Sequence, residues 1–204
     1  MRSSSTLLDF ANEGDKTNSS WGLTIYRTTY STSSTTHFHH IIELLTALVK
    51  YGIRHWLERN PNQPAKLAAK AALQETYEPI MMSRKSEFNK MTMEGIRAHY
   101  KALLAPPSGA WPHNNTNKWF CVLVDDEVAE HLAGADPRAL IAAGDKWQNH
   151  DKYWVKVIET DPEDKEDTGW MRCSVYSLFA LYVDMNWERS MRNYEAHSPE
   201  GVFY

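Results

Sequence analysis

Cysteine is nearly absent from this chain. Only Cys121 and Cys173 occur among 204 residues, each inside an apolar, strand-like run. That excludes a disulfide framework and a cysteine-rich metal site, and both thiols read as reduced core residues. Basic blocks are missing too: the formal net charge is -4 and the pI is near 6.1, so the electrostatic footprint of a nucleic-acid binder is not there. No apolar run approaches the roughly 18 residues that a membrane span needs. Residues 1–20 are polar and serine-rich, without the hydrophobic centre of a signal peptide; they are expected to form a flexible arm, and the expected compartment is the cytoplasm. The glycosylation-like triplets at Asn18 and Asn114 are then chance matches. GxGxxG, a phosphate-binding glycine loop, GxSxG, HExxH and CxxC are all lacking, so no cofactor is expected.

Aromatic residues are plentiful instead. Eight Trp and ten Tyr supply large apolar faces with polar tips, which suit both cores and ligand pockets. With 42% apolar and 24% charged residues, the chain has the balance of a globular domain, expected over residues 21–204.

Hydrophobic period places the elements. In WGLTIYRTTY (21–30), Trp21, Leu23 and Ile25 alternate with Gly22, Thr24 and Tyr26, the pattern of a strand. Phe38, Ile41, Ile42, Leu45, Leu48, Val49, Ile53 and Trp56 then follow helical spacing. This predicts an amphipathic helix over residues 36–58, capped by Thr35 or Thr36 and stopped by the prolines after it. Helices are expected over 65–78 and 91–104. KWFCVLV (118–124) reads as a strand buried on both sides. Short capped helices follow from Asp125 and Asp136, then strands at 153–160 and 170–179 around an acidic loop, and a short helix over 186–194. The expected class is α+β, a single mixed or antiparallel sheet with helices on one face, ferredoxin-like or related.

WGLTIYRTTY near the front and GWMRCSVYSLFALY (169–182) near the end resemble a group of filamentous-fungal proteins of similar size. In that group a Trp-Gly strand precedes a helix, and a Gly-Trp-Met-Arg strand lies near the C-terminus. The resemblance implies a fungal protein with this order of elements. It brings no activity and no site residues.

HFHHIIELL (37–45) raises the question of a metal. His39 and Glu43 stand four residues apart on one helical face and match a two-ligand spacing, and His37 or His40 joins them only if the first turn frays. The face continues through Thr46, Lys50 and Arg54, so a solvated helix start is the simpler reading, and no metal is expected. Asp125–Glu127 ends a buried strand, a position that suits catalysis but also helix capping, which is preferred. The acidic run from Glu159 to Asp167 is read as a solvated loop, with weak calcium binding as the lesser alternative. His99 reads as a boundary residue, while His113, His131 and His150 have no evident place.

Strand alternation points to a second sheet face. If Leu23, Ile25, Met171, Cys173 and Val175 face the helices, the other side carries Thr24, Tyr26, Thr28, Trp154, Lys156, Trp170, Arg172, Ser174 and Tyr176. Rings, hydroxyls and a few cations are the lining of a small-molecule pocket more than of a plain wet surface. The expected function is binding of an oxygenated organic molecule, or cofactor-independent proton transfer on one (isomerase, cyclase or lyase type) within fungal metabolism. Tyr26 would be the acid or hydrogen-bond donor and Arg172 the anion clamp. Thr24, Trp154, Lys156, Trp170, Ser174 and Tyr176 would line the substrate. A general base is missing unless a histidine or Asp125 reaches in. The alternative is a protein-interaction module using the aromatic face or the acidic loop, and a homodimer through that face is the expected association.

Protein purified without a chelating tag is expected to carry no stoichiometric transition metal. Elemental analysis finding a stoichiometric amount that disappears in His39→Ala would promote HFHH to a site.

Overall fold

Trp21 and Gly22 open the described chain against a neighbouring backbone. Trp21 bridges Tyr77, and a Cβ on Gly22 would collide with the Glu78 carbonyl, so glycine is required for the two segments to approach. The computed structural model describes residues 21–58, 71–104, 119–144, 151–162, 169–188 and 202–203. The expected arm at 1–20, the start of the helix at 65–78, most of the acidic loop, and His113 and His150 lie outside them.

The strand that follows is β1 (Thr24–Arg27), buried along its whole length. The loop after it ends at Ser31, whose hydroxyl accepts from the Ser34 amide at 3.1 Å. Ser31, rather than Thr35 or Thr36, therefore caps the long helix α1 (Thr32–Glu58). The later elements are β2 (Ile80–Met82), α2 (Lys85–Phe88), α3 (Met93–Leu104), β3 (Phe120–Val124), α4 (Asp126–Leu132), α5 (Pro137–Ala143), β4 (Trp154–Glu159), β5 (Trp170–Ser174), α6 (Leu178–Glu188) and β6 (Val202–Phe203). The strand expected over 170–179 ends at Ser174; Leu178 and Phe179 already belong to α6. Among the described residues no helix is long and apolar enough to cross a membrane.

The six strands among the described residues form one mixed sheet in the order β2-β1-β3-β4-β5-β6. β1 runs parallel to both β2 and β3, while β3, β4 and β5 are successively antiparallel. The α+β class is therefore as expected. The order does not confirm a ferredoxin-like arrangement, and the helices are not confined to one face. β1 connects to β2 on one side, and β2 connects back past β1 to β3 on the other. Connections between parallel strands are right-handed as a rule, so two crossovers of opposite lateral direction fall on opposite faces of the sheet.

The main core lies under α1. Ile25, Val122, Val124, Val155, Val157, Met171 and Cys173 meet Ile41, Leu45, Leu48, Val49 and Ile53 there, and α4, α5 and α6 pack against α1. Trp21 anchors this layer: its Nε1 donates to the Leu73 carbonyl at 2.9 Å, and its ring meets Tyr77, Phe179 and Tyr182. The second face carries a smaller core, in which Tyr26, Cys121, Leu123 and Ile158 pack against Phe88, Ile96, Tyr100 and Leu104. Part of the face expected to line a pocket or an interface is thus covered by α2 and α3.

Leu45 is 1% exposed, so Leu45→Ala should cost about 2–5 kcal/mol by denaturant titration. A loss below about half a kcal/mol would show that the α1 stripe does not face a packed core.

Candidate functional site

Sheet register aligns the expected site residues on one row. Tyr26 pairs with Leu123, Leu123 with Lys156, and Lys156 with Arg172. The four share the face away from α1, because directly paired residues point the same way. Tyr26 and Arg172 are nevertheless not neighbours. β3 and β4 lie between their strands, which places the backbones roughly 14 Å apart. The local pattern gave the shared face; only pairing gave the distance.

Tyr26 is fully buried. Its hydroxyl lies 2.7 Å from Nδ1 of His99, whose Nε2 is 3.3 Å from Glu87. The tautomer that donates from Nε2 to Glu87 leaves Nδ1 to accept the phenol proton. Burial pushes the Tyr26 phenol far above its usual range, and Cys121, Tyr100 and Glu87 add to the rise. The phenol therefore stays protonated, and Phe88, His99 and Tyr100 close around its ring edge-on. This chain of contacts ties α2 and α3 to β1. His99 is its middle member; the one sequence signal for it was its place beside the apolar stripe of α3.

The charged end of the row is different. β3 ends at Val124, and Asp125 caps α4 by accepting from the Val128 amide at 3.0 Å. Its second oxygen takes Lys156 Nζ at 2.6 Å, and Glu127 holds the same ammonium at 2.5 Å. Glu127 also accepts from Arg172 Nη2 at 3.0 Å. Burial favours neutral Lys156, but the hydrogen bonds to Asp125 and Glu127 outweigh it and raise its pKa. The hydrogen bond from Lys156 likewise pulls Glu127 below the usual carboxylate range, against its desolvation and with further help from the Lys156 and Arg172 charges. Asp125 is thus both a cap and an ion-pair partner, and the two roles do not compete because each uses one oxygen.

Trp154 joins this cluster to a histidine. The Arg172 guanidinium sits 4.3 Å from the centre of the Trp154 ring, and His131, on α4, stacks on the same indole at 4.6 Å. Two polar atoms here are buried and make no hydrogen bond among the described residues: Nε of Arg172 and Nε2 of His131. Burial lowers the His131 pKa, the Lys152 backbone opposes that fall, and the Arg172 charge reinforces it. Neutral His131 at this position is the candidate base that sequence reading could not place.

The other expected residues separate. Lys156 Nζ lies 5.7 Å from the Trp170 ring, so Trp170 borders the cluster. Ser174 is fully buried, and its oxygen faces the Tyr176 amide at 3.4 Å. Thr24 is fully buried one row from Tyr26. Tyr176 lies beyond the end of β5 and turns to the α1 side, where its hydroxyl donates to the Leu140 carbonyl at 3.0 Å. In HFHH, His39 and Glu43 meet at 3.3 Å on an exposed face, while His40 turns away to donate to the Ala135 carbonyl at 2.7 Å. Among the described residues no group of three metal-ligating side chains comes together.

Comparison with family models, with curated proteins and with solved structures returned no match.

His131 and Glu127 both have folded pKa values below their ordinary ones. Each therefore stabilises the fold when deprotonated. The His131 contribution is complete above the ordinary 6.5 and is lost as pH falls through its lower folded value. The Glu127 contribution is complete above 4.5 and is lost further down. Denaturant titrations from about pH 8 to about pH 3 should show a two-stage decline. His131→Gln should flatten the first stage and Glu127→Gln the second; a His131→Gln curve parallel to wild type would contradict the burial assigned to the imidazole.

Proposed function

We propose that this chain binds a flat, oxygenated, anionic organic molecule beside Trp154 and moves a proton on it without a cofactor. The observation that carries the reading is the pair of orphaned polar atoms, Arg172 Nε and His131 Nε2, on side chains that share one indole. A buried donor and a buried acceptor without partners are costly, about 1–3 kcal/mol each, and such gaps are filled by a ligand or water. The position supports it. β1 and β3 are parallel and their connections leave in opposite directions, which makes their carboxyl ends a topological switch point, the usual ligand crevice of an open sheet. Asp125 and α4 start there.

In this reading Arg172 is the anion clamp: its Nη2 is committed to Glu127, and its Nε–H faces an oxygen of the ligand. Lys156, held in place by Asp125 and Glu127, supplies positive charge to an enolate oxygen as it forms. His131, kept neutral by burial, takes the proton through Nε2 when Nδ1 carries its own hydrogen. Trp170, half-buried beside Lys156, offers a flat apolar wall, and Trp154 holds Arg172 and His131 in place. Tyr26 holds the second face together and does not touch the ligand. Isomerisation or elimination next to a carbonyl is the reaction class that these groups fit.

The test uses a panel of aryl keto acids in deuterated buffer, with α-proton exchange followed by NMR and binding by tryptophan fluorescence. Wild type should accelerate exchange, with a rate that rises with pH through a pKa below 6.5. His131→Gln should remove exchange while leaving binding in place. Arg172→Ala should weaken binding by about 1.5–3 kcal/mol, the scale of a charged hydrogen bond. Absence of both saturable binding and exchange across the panel would overturn the reading.

A further inference from the structure

An anion beside Trp154 meets cations whose charge is already answered. Lys156 and its cross-strand partner Arg172 share the face away from α1. Asp125 takes Lys156 Nζ at 2.6 Å. Glu127 takes the same ammonium through Oε2 at 2.5 Å and Arg172 Nη2 through Oε1 at 3.0 Å. Two cations and two acids leave this cluster neutral. The nearby charges are engaged elsewhere: the exposed Lys152 rests on the Tyr153 ring, and Asp126 accepts from the Thr29 hydroxyl.

The hydrogen-bonding groups left for a ligand are few. Every carboxylate oxygen of the cluster is in use: Asp125 Oδ1 accepts from the Val128 amide, and the others accept from Lys156 and Arg172. The acids therefore offer a ligand nothing but repulsion. Arg172 Nε is buried with no partner among the described residues. An ammonium carries three donors, and Lys156 spends one on Asp125 and one on Glu127. What remains is one N–H on each cation. That pair suits one carboxylate oxygen and one neighbouring carbonyl oxygen. A phosphate ester has three acceptor oxygens and close to two negative charges at neutral pH. Added to a neutral cluster, its second charge is held against Glu127 and Asp125 with no cation to answer it. Lys156 is nearly buried, so water screens that repulsion only in part.

We propose that Glu127 is a specificity-determining residue: with Asp125 it restricts the Trp154 site to monoanions, so that the ligand is a 2-oxo monocarboxylate and not a phosphate ester. The proposal rests on ligand binding beside Trp154 and goes beyond it by fixing the ligand's charge. Repulsion of the wrong partner is a common source of specificity. Glu127 exerts it through its charge, without touching the ligand. It is also the separable acid of the two, because Asp125 caps α4 as well.

Tryptophan fluorescence titration of the full chain with phenylpyruvate and with phenyl phosphate tests it, at about pH 8, where the ester is a dianion. Wild type should bind phenylpyruvate about tenfold or more tightly than phenyl phosphate. Glu127→Gln keeps the side chain's size and an acceptor but removes the charge. In that variant, checked for folding by thermal unfolding, the ratio of the two affinities should narrow about fivefold or more. A merely structural role for Glu127 would weaken both ligands alike and leave the ratio where it was. Methyl phenyl phosphate, a monoanion of similar shape, tests the same point in wild type without any substitution: it should bind more tightly than phenyl phosphate. Phenyl phosphate binding as tightly as either monoanion, or an unchanged ratio in folded Glu127→Gln, would overturn the proposal while binding beside Trp154 stood. Saturation of wild type by none of the three compounds would remove that binding and the proposal with it.

Discussion

The position of β1 between two parallel neighbours is the constraint on which the rest of this structure depends. β1 is the central parallel strand, with β2 on one side and β3 on the other. Its connection to β2 and the return from β2 to β3 run in opposite directions, so chirality sends their helices to opposite faces. β1 is consequently buried on both sides, which is why a four-residue strand carries Ile25 into one core and Tyr26 into the other. The same geometry brings the carboxyl ends of β1 and β3 side by side. The loop after β1 meets the first residue of α4 there, through Thr29 and Asp126.

Charge is concentrated around that edge and balanced unequally. Lys156 lies nearly buried between two carboxylates, so its ammonium is retained, and its hydrogen bonds hold Asp125 and Glu127 in fixed places. Arg172 shares Glu127 and rests on Trp154. Arg27, on the opposite face, has rings, a carbonyl and a hydroxyl but no acid among the described residues. The two faces thus offer different chemistry: an ion-pair cluster with two orphaned polar atoms on one, and a guanidinium held between two rings beside a helix start on the other.

The Tyr26–His99–Glu87 chain shows how a set of residues with catalytic types can serve the fold. Phenol, imidazole and carboxylate stand in line, but the phenol is enclosed by Phe88, His99 and Tyr100, and burial keeps it protonated. A buried hydroxyl needs an acceptor, and His99 supplies it from the helix that covers the second face. Its role is to fasten α3 onto β1.

Hydrophobic period was sufficient to locate α1, α3, β1, β3 and β4, because each buries a face that recurs at its own repeat over enough residues to be counted, although the cap of α1 lies at Ser31 and not at the expected threonines. The alternation of β5 likewise placed Arg172 and Trp170 on the side away from α1. Local pattern failed where the repeat was short or absent. β2 is three residues, Ile80–Met82, with no alternation to read. α6 buries Leu178, Phe179, Leu181, Tyr182, Val183 and Met185, an apolar run that shows no helical stripe, and its first two residues read as the end of a strand. The site itself is a matter of pairing. Tyr26 and Arg172 share a row but are held apart by two strands; His131 and Trp154 are distant in sequence yet stacked; Asp125 reaches Lys156 only because β3 and β4 are antiparallel neighbours. Which face a side chain takes is decided by its nearest neighbours along the chain. Which side chains meet is decided by strand order and crossover direction, and those arise from packing the whole sheet between its two helical layers.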